Sequence, residues 1–135
     1  MAVISELIRT ESDGSISFGD YTLNEKSKLD NFAHNGGSYK VKTYKDITKL
    51  ECNDMFVYES VPGTAVSNFA KVGDKVSFVV EGAEDAQITL ELEAESEYEV
   101  IINGESTGTV KTNLGGKLSF SVELENAASV VIEKK

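Results

Sequence analysis

Val76-Ser77-Phe78-Val79-Val80, Ile88-Thr89-Leu90-Glu91-Leu92, Tyr98-Glu99-Val100-Ile101-Ile102 and Leu118-Ser119-Phe120-Ser121-Val122-Glu123-Leu124 decide the fold class, because apolar residues alternate with others in each run. Alternation places successive side chains on opposite sides of an extended strand, so one face is buried and the other meets water. Reversal chemistry separates the runs: Glu81-Gly82-Ala83-Glu84-Asp85, Asn103-Gly104 and Gly115-Gly116 each stand where a strand must turn back. Working outward, strands are expected near 65–70, 75–81, 86–92, 97–103, 107–112, 117–124 and 129–133. Seven short strands at this spacing predict a β-sandwich.

Toward the N-terminus the pattern is looser but still reads as hairpins. Val3, Ile4, Leu7 and Ile8 fit either a strand or one helical turn. Ser12-Asp13-Gly14-Ser15 makes a turn before Ile16-Ser17-Phe18. Lys28 to His34 runs to Asn35-Gly36-Gly37, a reversal leading into a strand whose Tyr39, Val41 and Thr43 share a face. Thr48 to Glu51 and Met55 to Ser60 flank Asn53-Asp54 as a third hairpin, with Phe56 and Tyr58 expected on one face and Val57 on the other. The single proline, Pro62, followed by Gly63, marks a boundary, because it removes a ladder donor. The expected architecture is therefore all-β: a small hairpin-rich antiparallel unit over 1–62, then an immunoglobulin-like or fibronectin-III-like β-sandwich over 63–135.

Leu92-Glu93-Ala94-Glu95-Ser96-Glu97-Tyr98-Glu99-Val100 resembles the corner of fibronectin type III domains, in which Leu, a small residue, Ser or Thr, and Tyr recur at alternate positions. The resemblance implies that Tyr98 is structural, its hydroxyl bonded back to the loop backbone. Taken whole, the chain is similar to a group of short clostridial proteins of unknown function that sometimes carry the name endosialidase. Sialidases hold the sugar carboxylate with several guanidinium forks. This chain has one arginine, Arg9, and 135 residues, far fewer than a sialidase propeller needs, so the glycosidase activity implied by that name is disfavoured.

Charge narrows the partners. Net charge is -10, with 7 Lys/Arg against 10 Asp/Glu in residues 1–62 and 6 against 13 in 63–135. Such a surface repels phosphate backbones and anionic membranes, so neither nucleic acid nor membrane is an expected partner. The densest basic stretch is Lys40, Lys42, Lys45 and Lys49, interleaved with Tyr39 and Tyr44. A solvated strand face whose lysines discourage edge pairing is the preferred account of it. A lone cysteine, Cys52, precludes an internal disulfide, and Met1 to Thr10 lacks a basic start and a long apolar run. The expected location is the cytoplasm, with non-classical export left open.

Candidate chemistry is sparse. Glu91, Glu93, Glu95, Glu97 and Glu99 alternate, and on one strand would stand about 6 to 7 Å apart, a spacing any exposed acidic strand reaches. Glu81, Glu84 and Asp85 supply hard oxygens that suit calcium, without EF-hand spacing. His34 is the sole histidine and would have to serve any His-based site. No catalytic residue, metal site or cofactor is assigned. Carbohydrate platforms require exposed aromatics; Trp is absent, and Phe18, Phe78 and Phe120 read as core by alternation. Tyr39, Tyr44 and Tyr58, with Tyr21, remain as binding or interface candidates alongside Lys40 and Lys42, set against core burial of two or more of these tyrosines. The expected role is thus a non-catalytic binding or self-assembly protein, forming a homo-oligomer through its N-terminal unit; a carbohydrate-binding module with a glycan partner is the alternative.

Overall fold

The structure, a computed structural model, describes residues 3, 4 and 6–135; Met1, Ala2 and Ser5, part of the segment read for a leader, lie outside it. The chain forms β1 (Ile8–Thr10), β2 (Ile16–Phe18), β3 (Ser27–His34), β4 (Gly37–Tyr44), β5 (Ile47–Cys52), β6 (Met55–Val61) and β7 (Ala65–Val72). It continues through β8 (Lys75–Glu81), β9 (Ala86–Glu91), β10 (Glu97–Ile102), β11 (Glu105–Lys111), β12 (Lys117–Val122) and β13 (Ala128–Lys134). All seven strands expected beyond Pro62 are present, and the Val3 to Arg9 segment contributes only the start of the short β1. Among the described residues no helix is long and apolar enough to cross a membrane.

Two antiparallel sheets result. The first has the order β1-β2-β7-β8-β13-β10-β11, and the second β12-β9-β6-β5-β4-β3. Tight reversals set much of this register. At Asn35-Gly36, Asn53-Asp54 and Asn103-Gly104 both turn residues have positive φ, the conformation that matches the twist of the flanking strands. The boundary expected near Pro62 falls where the chain leaves β6 in the second sheet for β7 in the first. Ladders nevertheless run across that position, with β2 paired to β7 and β6 paired to β9.

One apolar cluster lies between the sheets. Val76, Phe78 and Val80 of β8 and Val130 and Ile132 of β13 face Ile88 and Leu90 of β9 and Leu118 of β12. Each such side chain, fully buried, contributes roughly 1.5–3 kcal/mol. Tyr58 of the second sheet inserts among the rings of the first, edge-on to Phe18 at 5.2 Å and to Phe78 at 5.9 Å between centroids. A bulge opposite Leu50 and Glu51 corrects the expected face of Phe56: Tyr58 pairs with Leu50 and Phe56 with Glu51, so Val57 is the extra residue. Tyr58 and Val57 therefore pack on the core, while Phe56 sits with Glu51 beneath Lys117, whose Nζ lies 4.6 Å from the ring centre.

Polar groups are also buried where the chain changes sheets. Thr48 Oγ1 donates to the Thr64 carbonyl at 2.8 Å and accepts the Thr64 N–H at 3.0 Å. That leaves the Thr43 hydroxyl to donate to Thr48 Oγ1 at 2.8 Å, and Thr43 in turn accepts the Asp20 N–H at 2.9 Å. Thr64 Oγ1 shares hydrogen bonds with Tyr58 Oη at 2.8 Å and Ser60 Oγ at 2.7 Å. Thr43, Thr48, Ser60 and Thr64 are wholly buried, so each bond matters: an unpaired group at such a site costs about 1–3 kcal/mol. Gly19, at φ +102°, completes the junction, because a Cβ there would collide with the Thr64 carbonyl oxygen.

Replacing Thr48 by Val keeps the shape but orphans both backbone groups of Thr64. The variant is expected to lose about 3 kcal/mol of unfolding free energy in urea, with a single transition before and after substitution. Two separate transitions in the parent protein would instead show residues 1–62 and 63–135 folding independently.

Candidate functional site

The turn at Asn35-Gly36 delivers His34, at the end of β3, and Tyr39, near the start of β4, to one open edge of the core. Their rings meet edge-on with centroids 5.6 Å apart. Across the second sheet Tyr39 pairs with Cys52, and the phenol and thiol are hydrogen-bonded. Gly37 makes room for this contact, since a Cβ there would stand 2.8 Å from Cys52 Sγ. Burial first, then the bond to Cys52, pushes the Tyr39 hydroxyl up to about 12. It is a neutral group throughout the physiological range.

The facing wall comes from a second bulge. β7 shifts register between Ser67 and Ala70, where Asn68 takes φ 56°, so the Asn68 side chain leaves the ladder and bonds Ser15 Oγ at 3.1 Å. Phe69, next in the chain, stacks on Phe78 at 5.5 Å. Between these walls lies a polar cavity of about 490 Å³ whose lining includes Asp13, Ser15, His34, Asn35 and Asn68. A more apolar cavity of about 230 Å³ is lined by Phe56, Val57, Val76, Leu90 and Leu92. Tyr39, Phe69 and Lys71 border both. The two cavities are neighbours, one polar and one more apolar, and together they make up the groove, with Tyr39, Phe69 and Lys71 as shared lining.

The groups along the groove are engaged rather than poised. Asn35 Nδ2 donates to His34 Nε2 at 3.2 Å, which leaves Nδ1 to donate to Thr10 Oγ1 at 2.8 Å in the neutral imidazole. Asp13 accepts from the Ser15 hydroxyl and N–H, and these bonds hold its carboxyl below the ordinary range. His34 and a carboxylate do share a cavity, but among the described residues Asp13 is the one carboxylate lining its polar end. Arg9 is tied to Glu11 at 2.9 Å and Glu6 at 3.6 Å and does not line it. The arrangement offers donors, acceptors and an aromatic face, which are the means of binding.

The other sequence candidates are dispersed. Tyr58 is in the core, its hydroxyl consumed by Thr64. Tyr44 closes β4 beside Asp46; partial desolvation, together with that carboxylate, raises its pKa. Tyr21 lines a separate cavity with Glu81 and Leu124. Lys40 and Lys42 lie on the outer face of the second sheet, and Lys28 of β3, not among the sequence candidates, joins them. The glutamate run is not one row: Glu91 ends β9 and pairs with Lys117 at 3.1 Å, Glu93 pairs with Lys134 at 2.6 Å, and only Glu97 and Glu99 lie on β10. Near the candidate calcium oxygens, Asp85 accepts the Leu124 N–H, and among the described residues no group of three His, Cys, Asp or Glu side chains could hold a metal.

Asn68 escaped sequence reading although a signal exists, for an Asn that tolerates positive φ interrupts the alternation of its strand. At the resembled corner, Tyr98 Oη accepts the Glu93 N–H at 3.2 Å. Comparison with protein-family models, with curated proteins and with solved structures finds no match.

A raised phenol contributes stability that is fully present below its unfolded value near 10 and is lost as pH rises toward 12. In a spectrophotometric titration, Tyr39→Phe is expected to leave the phenolate absorbance unchanged up to about pH 10.5 and to remove amplitude only above it. Loss of amplitude near pH 10 would mark Tyr39 as freely solvated.

Proposed function

We propose that this chain is a non-catalytic binding module whose groove between the sheets takes a small amphipathic ligand, and that the ligand class is a glycan. The observation carrying the reading is the adjacency of the polar and apolar cavities, which share Tyr39, Phe69 and Lys71. Their combined size falls in the range of ligand sites, roughly 300–1,000 Å³. A sugar ring has one apolar CH face for an aromatic platform and hydroxyls for Asn68, Asn35 and Lys71. The absence of bond-breaking chemistry is supported by a Tyr39 hydroxyl kept protonated and by ring nitrogens of His34 that are both bonded. These features weigh against the endosialidase reading, which needs an activated nucleophile and an arginine cluster.

The fibronectin-like arrangement of 63–135 is supported at one corner, by the bond of Tyr98 to the Glu93 backbone. Residence in the cytoplasm is supported by the unpaired Cys52. Self-assembly through the first 62 residues is the second reading, favoured by β3 as an outer strand of eight residues. Its ladder with β4 breaks between Leu29 and Phe32, and such bulges blunt an edge, so ligand binding is placed first.

A glycan array of neutral and acidic oligosaccharides, followed by amide chemical-shift mapping with any positive, tests the reading. Shifts are expected at Tyr39, Asn68 and Lys71, with at least about a tenfold loss of affinity in Tyr39→Ala. A silent array together with a defined oligomer at micromolar concentration would transfer the role to self-assembly.

A further inference from the structure

The outer face of the second sheet carries a charge arrangement that folding alone disfavours. Inward positions of β4 and β5 are taken by Val41, Thr43, Thr48 and Leu50, all buried, so Lys40, Lys42, Lys49 and Glu51 point outward. Lys28 is the register partner of Lys42, and Lys42 of Lys49, so three ammonium groups stand directly opposite one another on β3, β4 and β5. Side chains opposed in this way have Cβ atoms about 4.5–5.5 Å apart, and like charges there are destabilising. Among the described residues Glu51 is the one carboxylate lining the cavity these lysines share, divided between Lys40 and Lys49 at 3.7 Å each, while Lys40 also borders a second hollow with Asp30 and Asp54. Among the described residues Lys28 and Lys42 make no ion pair.

We propose that Lys28, Lys40, Lys42 and Lys49 form a binding site for a compact, multiply charged oxyanion of the phosphate or sulfate class. The four lysines and Glu51 border a surface cavity of about 170 Å³, room for one tetrahedral anion with its nearest waters. A dianion seated between the opposed ammonium groups turns their mutual repulsion into attraction. Lysine, a mobile point charge, suits a tetrahedral group with no preferred plane, whereas a planar carboxylate is better matched by the arginine fork. Lys49 is further placed by Phe56, whose ring centre is 6.0 Å from its Nζ.

The rest of the molecule selects a compact ligand over a polymer. Screening at physiological salt limits each charge to about 8 Å, so a small anion meets the four lysines and Glu51 and little of the remaining negative charge. A strand of nucleic acid would extend past Lys49 onto its register partner Glu59 and would face a protein of net charge -10.

The test is thermal unfolding of the full chain with sodium sulfate or inorganic phosphate against sodium chloride at equal ionic strength, with amide shifts to locate binding. Both oxyanions are expected to raise Tm beyond the chloride control and to shift the amides of Lys28, Lys42 and Lys49. Lys42→Gln is expected to weaken the oxyanion response about tenfold. The same substitution should raise Tm in the absence of oxyanion, because it removes the central like charge, while Lys111→Gln should leave the oxyanion response unchanged. An oxyanion effect no larger than chloride, or one that Lys42→Gln leaves intact, would overturn the site. A single-stranded oligonucleotide binding more tightly than phosphate at the same salt would overturn its restriction to compact anions.

Discussion

Thr48 holds the two sheets in their relation to each other. Its hydroxyl is bonded to both the N–H and the C=O of Thr64, the residue at which the chain has just left β6 and is about to enter β7. Through Thr43 the same network reaches the Asp20 N–H, where the chain has just left β2. Two crossings between the layers are thereby tied to adjacent strands of one sheet, at wholly buried positions where each hydroxyl already has its partner. Apolar contact alone permits two sheets to slide and twist against one another. Directional bonds among buried hydroxyls fix the alignment, and Tyr58 then has one position among Phe18, Phe69 and Phe78.

From that alignment follow the features that bear on function, and the groove arises where ladders are irregular. The bulge in β7 turns Asn68 toward the polar cavity, and the bulge in β6 leaves Phe56 outside while Val57 and Tyr58 face the core. A regular sheet would present neither arrangement. Regular pairing, in contrast, builds the lysine row, because Lys28, Lys42 and Lys49 meet only if three strands keep register. The groove and the lysine cluster thus occupy different surfaces, one between the layers and one on the outside of the second sheet, and neither requires the other.

Strand positions beyond Pro62 were legible because β8, β9, β10 and β13 obey alternation and turn residues bracket them, whereas β7 and the exposed β11 do not alternate. The sheet to which each strand belongs was not, since period two reports which side of a strand is buried and nothing about its neighbour. Pro62 was read as the boundary between two units; in the structure it lies where the chain passes from one sheet to the other, and strands from both sides of it are found in both sheets. Tyr58 stood among four tyrosine candidates, with core burial of two or more set against them, and Thr64 supplies its hydroxyl partner only after the chain has reversed. Tyr39 was within reach as an aromatic among lysines, and His34 lies just across its hairpin, yet Asp13 and Asn68 in the same cavity lining come from distant positions. Lys28 lies one strand beyond the lysine run, visible only once the β3 register is known.

Native-state hydrogen exchange of the Thr64 and Asp20 amides tests the structural claim most directly. Both residues lie outside strands, where amides commonly exchange through local opening. If the buried hydroxyls join the layers, these two amides exchange only with global unfolding, as slowly as those of the core residues Val76 and Val80 on β8. Exchange at the rate of an open loop would contradict the claim and leave apolar packing as the sole link between the sheets.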